Sequence, residues 1–253
     1  MNKTIMITGA TSGFGKATAL RFAENGYNII ITGRRKVLLD ELKKELNTFE
    51  NIKVHSLCFD VRKKGEVEKV IGNLPEEWKK IDILVNNAGL AVGLDHIQTG
   101  NTDDWDTMID TNVKGLLYVT RAVAPLMVVQ NKGHIFNLGS IAGKETYENG
   151  NVYCASKFAV DALSKSMRID MLKNNIKVTL IAPGMAETEF ALVRFKGDEQ
   201  KAKNIYKGID ALTAEDIADV IYYCATLPDH VCINEVVITP TQQASVNHSY
   251  RRE

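Results

Sequence analysis

Three side chains have the types and spacing for proton-transfer chemistry: Ser140, Tyr153 and Lys157. Tyr153 and Lys157 are four residues apart, which puts them on one face of any helix that contains them. An ammonium beside a phenol favours the phenolate and draws the tyrosine pKa down from about 10, giving a proton donor near neutral pH. Ser140 stands upstream, just after the apolar run His134-Ile135-Phe136-Asn137-Leu138. Alone, a Tyr-x-x-x-Lys spacing also arises by chance on exposed helices, where such a pair is worth a few tenths of a kcal/mol. The elements around it have to decide.

Short apolar, β-branched runs alternate with amphipathic segments along the whole chain. The runs predict strands at Thr4–Thr8, Tyr27–Thr32, Ile52–Phe59, Ile81–Val85, His134–Leu138, Ile176–Ile181 and Val231–Thr239. Helices are predicted at Gly13–Asn25, Lys36–Leu46, Lys63–Leu74, Trp105–Gln130, Val152–Lys173 and Ala214–Thr226. Strands apolar throughout, each followed by a helix, indicate a parallel sheet buried on both faces. Right-handed crossovers then make it a doubly wound α/β sheet of seven strands, a Rossmann fold. No linker, composition shift or repeat interrupts the rhythm, so residues 1–253 read as a single domain. The charged, poorly periodic stretch Met185–Leu212 is predicted to be a lid inserted after the sixth strand.

The totals exclude several classes. Lys+Arg and Asp+Glu are both 31, so nothing favours nucleic acid. The four cysteines show no C-x-x-C spacing, the chain opens without a signal-peptide pattern, and no apolar run approaches eighteen residues. A reduced cytoplasmic protein without metal or membrane is expected.

Directly after the first strand comes Thr8-Gly9-Ala10-Thr11-Ser12-Gly13-Phe14-Gly15, leading into a helix. Glycines permit a tight turn and let the backbone approach a pyrophosphate, while the helix N-terminus supplies free N–H groups. The residues Gly9, Thr11, Ser12, Gly13, Phe14 and Gly15 therefore predict a dinucleotide site. An NAD-type fold ends its second strand with a carboxylate for the ribose 2′-hydroxyl. Here Thr32-Gly33-Arg34-Arg35 stands instead, with no carboxylate before Asp40. Guanidiniums at Arg34 and Arg35 suit a 2′-phosphate, predicting NADP(H); the competing reading is two solvated arginines opening a helix.

With these motifs in order, the chain resembles the short-chain dehydrogenase/reductase family over essentially its whole length. The T-G-x-x-x-G-x-G loop is that family's variant. Asp60-Val61 corresponds to its adenine-holding pair, and Asn86-Asn87-Ala88-Gly89 to the N-N-A-G that supports the sheet and lines the cofactor. Pro183-Gly184 matches the turn beside the nicotinamide, with Thr188 a candidate for the carboxamide. The resemblance implies hydride transfer between nicotinamide and a hydroxyl-bearing carbon. Tyr153 would be the general acid/base, Lys157 would lower its pKa and bind the nicotinamide ribose, and Ser140 would orient the substrate oxygen. Asn112 resembles the residue that holds a water linking Lys157 to solvent.

Within the family, Pro183-Gly184-Met185-Ala186-Glu187-Thr188-Glu189-Phe190-Ala191-Leu192-Val193-Arg194-Phe195-Lys196-Gly197 is similar to a stretch of the NADP-dependent 3-hydroxy acid dehydrogenases, apart from Ala182 where a Glu often precedes Pro183. The implied substrates are L-serine, L-allo-threonine and 3-hydroxypropionate or its semialdehyde. A short acid needs a cation, because an unpaired anion in a closed pocket is costly. Arg194 is the candidate anchor, with Met185 beside it; an exposed lid arginine is the other reading. The same pocket would admit a sulfonate such as sulfoacetaldehyde, and a non-catalytic dinucleotide sensor on the same fold is the alternative outside enzymes. The polar tail Gln242–Glu253 resembles an arm that reaches a neighbouring subunit in a homotetramer. Gln243, Asn247 and Tyr250 would then meet another chain's site, unless the tail is disordered.

Overall fold

Isoleucines set the sheet. In a computed structural model describing residues 2–252, strands β1 (Thr4–Ile7) and β2 (Asn28–Gly33) point successive side chains to opposite faces. Ile5, Ile7, Ile29 and Ile31 enter one core, while Met6 and Ile30 enter the other. Five further strands join them: β3 (Val54–Cys58), β4 (Ile83–Asn86), β5 (Gly133–Leu138), β6 (Ile176–Pro183) and β7 (Glu235–Ile238). All pairs are parallel, in the order β3-β2-β1-β4-β5-β6-β7. Order reverses between β1 and β4, which opens a crevice beyond their C-terminal ends.

Helices α1 (Gly13–Glu24), α2 (Lys36–Leu46) and α9 (Ala214–Thr226) cover the first core with Phe22, Leu39, Ile217 and Ile221. Helices α3 (Lys64–Gly72), α5 (Leu116–Gln130) and α6 (Asn151–Asp170) cover the second with Val67, Val123, Val160 and Met167. Each fully buried aliphatic side chain contributes roughly 1.5–3 kcal/mol. The predicted seven-stranded doubly wound sheet is what forms.

Some boundaries differ from the prediction. The seventh strand keeps only Glu235–Ile238, a half-exposed edge, so the apolar residues before it extend no ladder. The predicted helix Trp105–Gln130 begins earlier, as α4 (Thr102–Ile109), because Asn101 caps the backbone N–H groups of Asp103 and Asp104. It is interrupted by a π-helical stretch, Asp110–Gly115, before α5. The continuous run Thr102–Gln130 is long enough for a membrane span and contains an 18-residue window with a mean hydropathy of 1.2. Its apolar face is spent on the sheet: Val119, Val123 and Met127 are almost fully buried.

The lid forms as predicted, with structure inside it. Leu212 N–H donates to Met185 O at 3.0 Å and Glu187 N–H to Leu212 O at 2.8 Å, closing the insertion at its base. Between them lie the short helices α7 (Phe190–Arg194) and α8 (Glu199–Asn204), too short to show a period in the sequence.

Candidate active site

The loop after β1 is braced from the next strand. Asn87 Nδ2 donates to Thr8 O at 2.8 Å and Gly9 O at 3.0 Å, while the Asn87 and Ala88 N–H groups donate to Thr8 Oγ1. A Cβ on Gly15 would lie 2.5 Å from both Gly9 O and Asn87 Nδ2, so only glycine lets α1 start against this brace. Gly9 adopts φ 63°, and a Cβ there would meet Ala88 Cα at 2.9 Å. The backbone cradle suits a pyrophosphate.

The crevice above it has a volume of about 550 Å³, in the usual range for a small-molecule site. Its walls carry Gly9, Thr11, Ser12, Gly13, Phe14, Arg34, Arg35, Asp60, Val61, Asn87, Ala88 and Gly89 on one side. Ser140, Tyr153, Lys157, Pro183, Gly184, Met185, Thr188 and Arg194 stand on the other. Two predicted residues are not on the wall: Gly15 lies under the loop and Asn112 under Gly89.

At the adenosine end, Arg35 lies across the loop. Its Nε and Nη2 donate to Thr11 Oγ1, its Nη2 also to Ser12 Oγ, and its Nη1 pairs with Glu189 of the lid at 3.1 Å. Arg34 is half-exposed and 3.7 Å from Asp60. Asp60 itself is gripped by Arg62 through both carboxylate oxygens. Burial works against its charge, but the Arg62 hydrogen bonds outweigh it and hold the carboxyl below its ordinary value.

At the other end, β5 delivers Ser140 and α6 presents Tyr153 and Lys157 one turn apart. Ser140 Oγ accepts from Ala142 N–H at 3.1 Å and faces Pro183 O at 3.4 Å. Lys157 is buried, donates to Leu138 O at 2.8 Å, and has its pKa pushed down to about 8 by that burial. The expected depression of the Tyr153 pKa by Lys157 is not what the structure shows. Burial raises it, opposed by Arg194 and the Ser140 hydroxyl. Burial is the larger effect; the Arg194 guanidinium is 4.9 Å from the Tyr153 ring centre and Lys157 Nζ is 5.9 Å away.

The expected water-holding role of Asn112 is narrowed. Its Nδ2 donates to Leu90 O and Ser156 Oγ, and its Oδ1 accepts from Leu90 N–H. One Oδ1 lone pair is left for a water. The π-helical stretch turns this side chain inward, towards Leu90 and Ser156.

Arg194 is 8% exposed, and no carboxylate among the described residues lies within ion-pair distance of it. Instead the rings of Tyr147, Tyr153 and Phe190 surround the guanidinium, and its Nη2 donates to Tyr147 Oη at 2.6 Å. Tyr147 was missed by sequence reasoning; burial pushes its phenol up to about 12. Its only signal was an aromatic residue in the polar loop before α6. No metal-ligand cluster occurs among the described residues.

A short chain dehydrogenase family model matches residues 3–199. The chain belongs to that family. It is 48% identical over 249 residues to the NADP-dependent 3-hydroxy acid dehydrogenase of Salmonella typhimurium, covering 98% of this chain and 99% of the relative. It is 46% identical to sulfoacetaldehyde reductase 2 of Chromohalobacter salexigens, covering 96% of each. A solved structure of the closed form of serine dehydrogenase complexed with NADP+ superposes with a TM-score of 0.91 at 45% identity, covering 99% of this chain and all of that one.

In this short-chain dehydrogenase the tail makes contacts within its own chain. The tail folds onto its own lid. Gln243 is buried and its Oε1 accepts from Met185 N–H at 2.8 Å. Asn247 donates to Thr146 O, and Arg252 N–H to Gly208 O. Arg251 donates to the Ile205 and Lys207 carbonyls. Of the three residues expected to meet a neighbour, Gln243 and Asn247 are engaged within the chain, while the Tyr250 side chain is exposed.

Proposed function

We propose that the protein is an NADP(H)-dependent oxidoreductase that interconverts a short 3-hydroxy acid and its carbonyl counterpart. The cofactor is NADP(H), which supplies or accepts the hydride when bound. The glycine cradle at Gly9 and Gly15, and the guanidiniums of Arg34 and Arg35 where β2 ends without a carboxylate, fit its pyrophosphate and 2′-phosphate. Pro183, Gly184 and Thr188 lie where the nicotinamide would rest, and Asp60-Val61 where the adenine would.

Tyr153 acts as general acid in reduction and general base in oxidation. The raised pKa of its phenol keeps the proton available for donation, so reduction is served at neutral pH and oxidation gains as pH rises. Ser140 orients the substrate oxygen, Lys157 provides the nearby ammonium, and Asn112 holds the relay water with its remaining lone pair. The observation that carries the substrate class is Arg194. A buried guanidinium without a carboxylate partner among the described residues, 4.9 Å from the Tyr153 ring centre, sets an anion beside the proton donor.

The 46% identity to a sulfoacetaldehyde reductase favours a second reading, in which the anion is a sulfonate. Exposed Val129, Ile169 and Leu172 around α5 and α6 support association of copies, with a homotetramer the assembly proposed. Absorbance of the reduced nicotinamide is followed with L-serine, L-allo-threonine, 3-hydroxypropionate and isethionate, each with NADP and with NAD. Turnover of the carboxylates with NADP is expected. Turnover of isethionate alone would move the reading to sulfonates, and turnover of none of them while NADPH binds would end it.

A further inference from the structure

Beside the main crevice lies a second, much smaller space. It is a cavity of about 10 Å³, and it shares Tyr147, Tyr153 and Arg194 with the crevice. Three buried polar atoms of its lining residues have no hydrogen-bond partner among the described residues: Arg194 Nε, Asn149 Oδ1 and Asp104 Oδ2. The first can only donate and the second can only accept. The third, Asp104 Oδ2, lies 2.8 Å from Lys196 Nζ as an ion pair, so its charge is balanced although it has no hydrogen-bond partner among the described residues. Orphaned buried atoms are costly, and more so when charged. The volume is about one water probe, too small for any larger ligand.

Asn149 is placed there by a tight turn. Gly150 N–H donates to Tyr147 O at 3.1 Å, and Asn149 takes φ 64°, a left-handed conformation that asparagine and aspartate tolerate best. The same turn carries Tyr147, whose Oη accepts from Arg194 Nη2. One turn thus reaches both edges of the guanidinium, directly through Tyr147 and across the cavity through Asn149.

We propose that this cavity holds one water molecule that accepts from Arg194 Nε and donates to Asn149 Oδ1, making Asn149 a positioning residue that fixes the guanidinium without neutralising it. The consequence for specificity rests on Arg194 being the substrate-anion site. Water is neutral, so the cation keeps its charge for the substrate. A carboxylate at the same position would become its counter-ion and compete with the substrate's own.

Asn149→Asp is isosteric and suits the same φ, so it tests the idea without remaking the turn. Steady-state rates with NADP are compared for 3-hydroxypropionate and for neutral 1-propanol. The KM for 3-hydroxypropionate should rise at least about tenfold with kcat held within about twofold, while constants for 1-propanol stay unchanged. Asn149→Gly, which removes the acceptor and adds no charge, should raise the acid's KM by less. A crystal structure of the wild-type protein should show a water within hydrogen-bond distance of both atoms. An unchanged KM in Asn149→Asp, equal shifts for acid and alcohol, or a structure in which Arg194 Nε has a protein partner would each overturn the proposal. Arg194→Ala separates the two readings. If it harms acid and alcohol alike, the anion site is wrong, and the crystal structure alone then decides the water.

Discussion

Two arginines in the same crevice are held in opposite ways. Arg35 is about half-exposed, spread over Thr11 and Ser12, and paired with the Glu189 carboxylate. Arg194 is buried, faced by three rings, and paired with no carboxylate among the described residues. An exposed ion pair is worth about 0–1 kcal/mol and is readily exchanged for a better anion. A buried cation has given up its hydration and gains much more from an arriving anion. Substitution at Arg35 should therefore cost less than substitution at Arg194.

Tyr153 lies beside Arg194, and Tyr153→Phe should cost the most. A loss of about 10²–10⁴ in kcat is expected with NADPH affinity retained; near-normal turnover would remove Tyr153 from proton transfer. Arg194→Ala should raise the KM for 3-hydroxy acids by about a hundredfold and hardly alter neutral alcohols. A small effect would make the contrast between the two arginines false.

Burial acts on Lys157 as well, and here pH reveals it. Its folded pKa of about 8 lies below the ordinary 10.5, so below pH 8 the folded protein bears the full cost of holding that charge. Above pH 8 the folded state loses the proton before the unfolded state does, and stability rises with pH until about 10.5. Lys157→Met abolishes this slope. Measured by denaturant melts, the variant's stability relative to wild type should fall by roughly 3 kcal/mol between pH 7 and 10.5. A pH-independent difference would show that Lys157 is not held at low pKa.

At the exposed end, Arg34→Asp with Arg35→Ala should shift cofactor preference from NADP toward NAD by about tenfold or more. Unchanged preference in titrations of both cofactors would place the 2′-phosphate elsewhere. Glu189→Gln should matter least, changing NADP affinity by less than about threefold. A much larger change would give the Arg35 pair a weight that its exposure denies.

The sheet and the site were legible to different depths. Strands apolar on both faces can only be covered on both faces, so Ile5, Met6, Ile29 and Ile30 carried the architecture. The loop from Gly9 to Gly15 and the Ser140, Tyr153, Lys157 set were legible because their chemistry constrains residue type and spacing. What stayed hidden depends on three-dimensional company. The π-helical stretch at Asp110–Gly115 accompanies the bonds of Asn112 to Leu90 and Ser156, which no local propensity signals. Which cation lies nearer Tyr153 is a matter of 4.9 against 5.9 Å. Tyr147 becomes informative only when the lid brings Arg194 onto it, and the tail's direction is decided by where Gln243 finds Met185 N–H.

The hem of the lid has a wider consequence. Met185 and Leu212 are hydrogen-bonded backbone to backbone, and beyond that base the insertion meets the scaffold through side-chain pairs and one backbone bond, Gly93 N–H to Arg194 O, rather than through the sheet. Closing a longer flap costs only about 0.6 kcal/mol for each doubling of its length. Residues 187–211, together with the tail that clasps them, form an exchangeable cassette. A different cassette could give the same hydride-transfer platform a new appetite without disturbing a single strand.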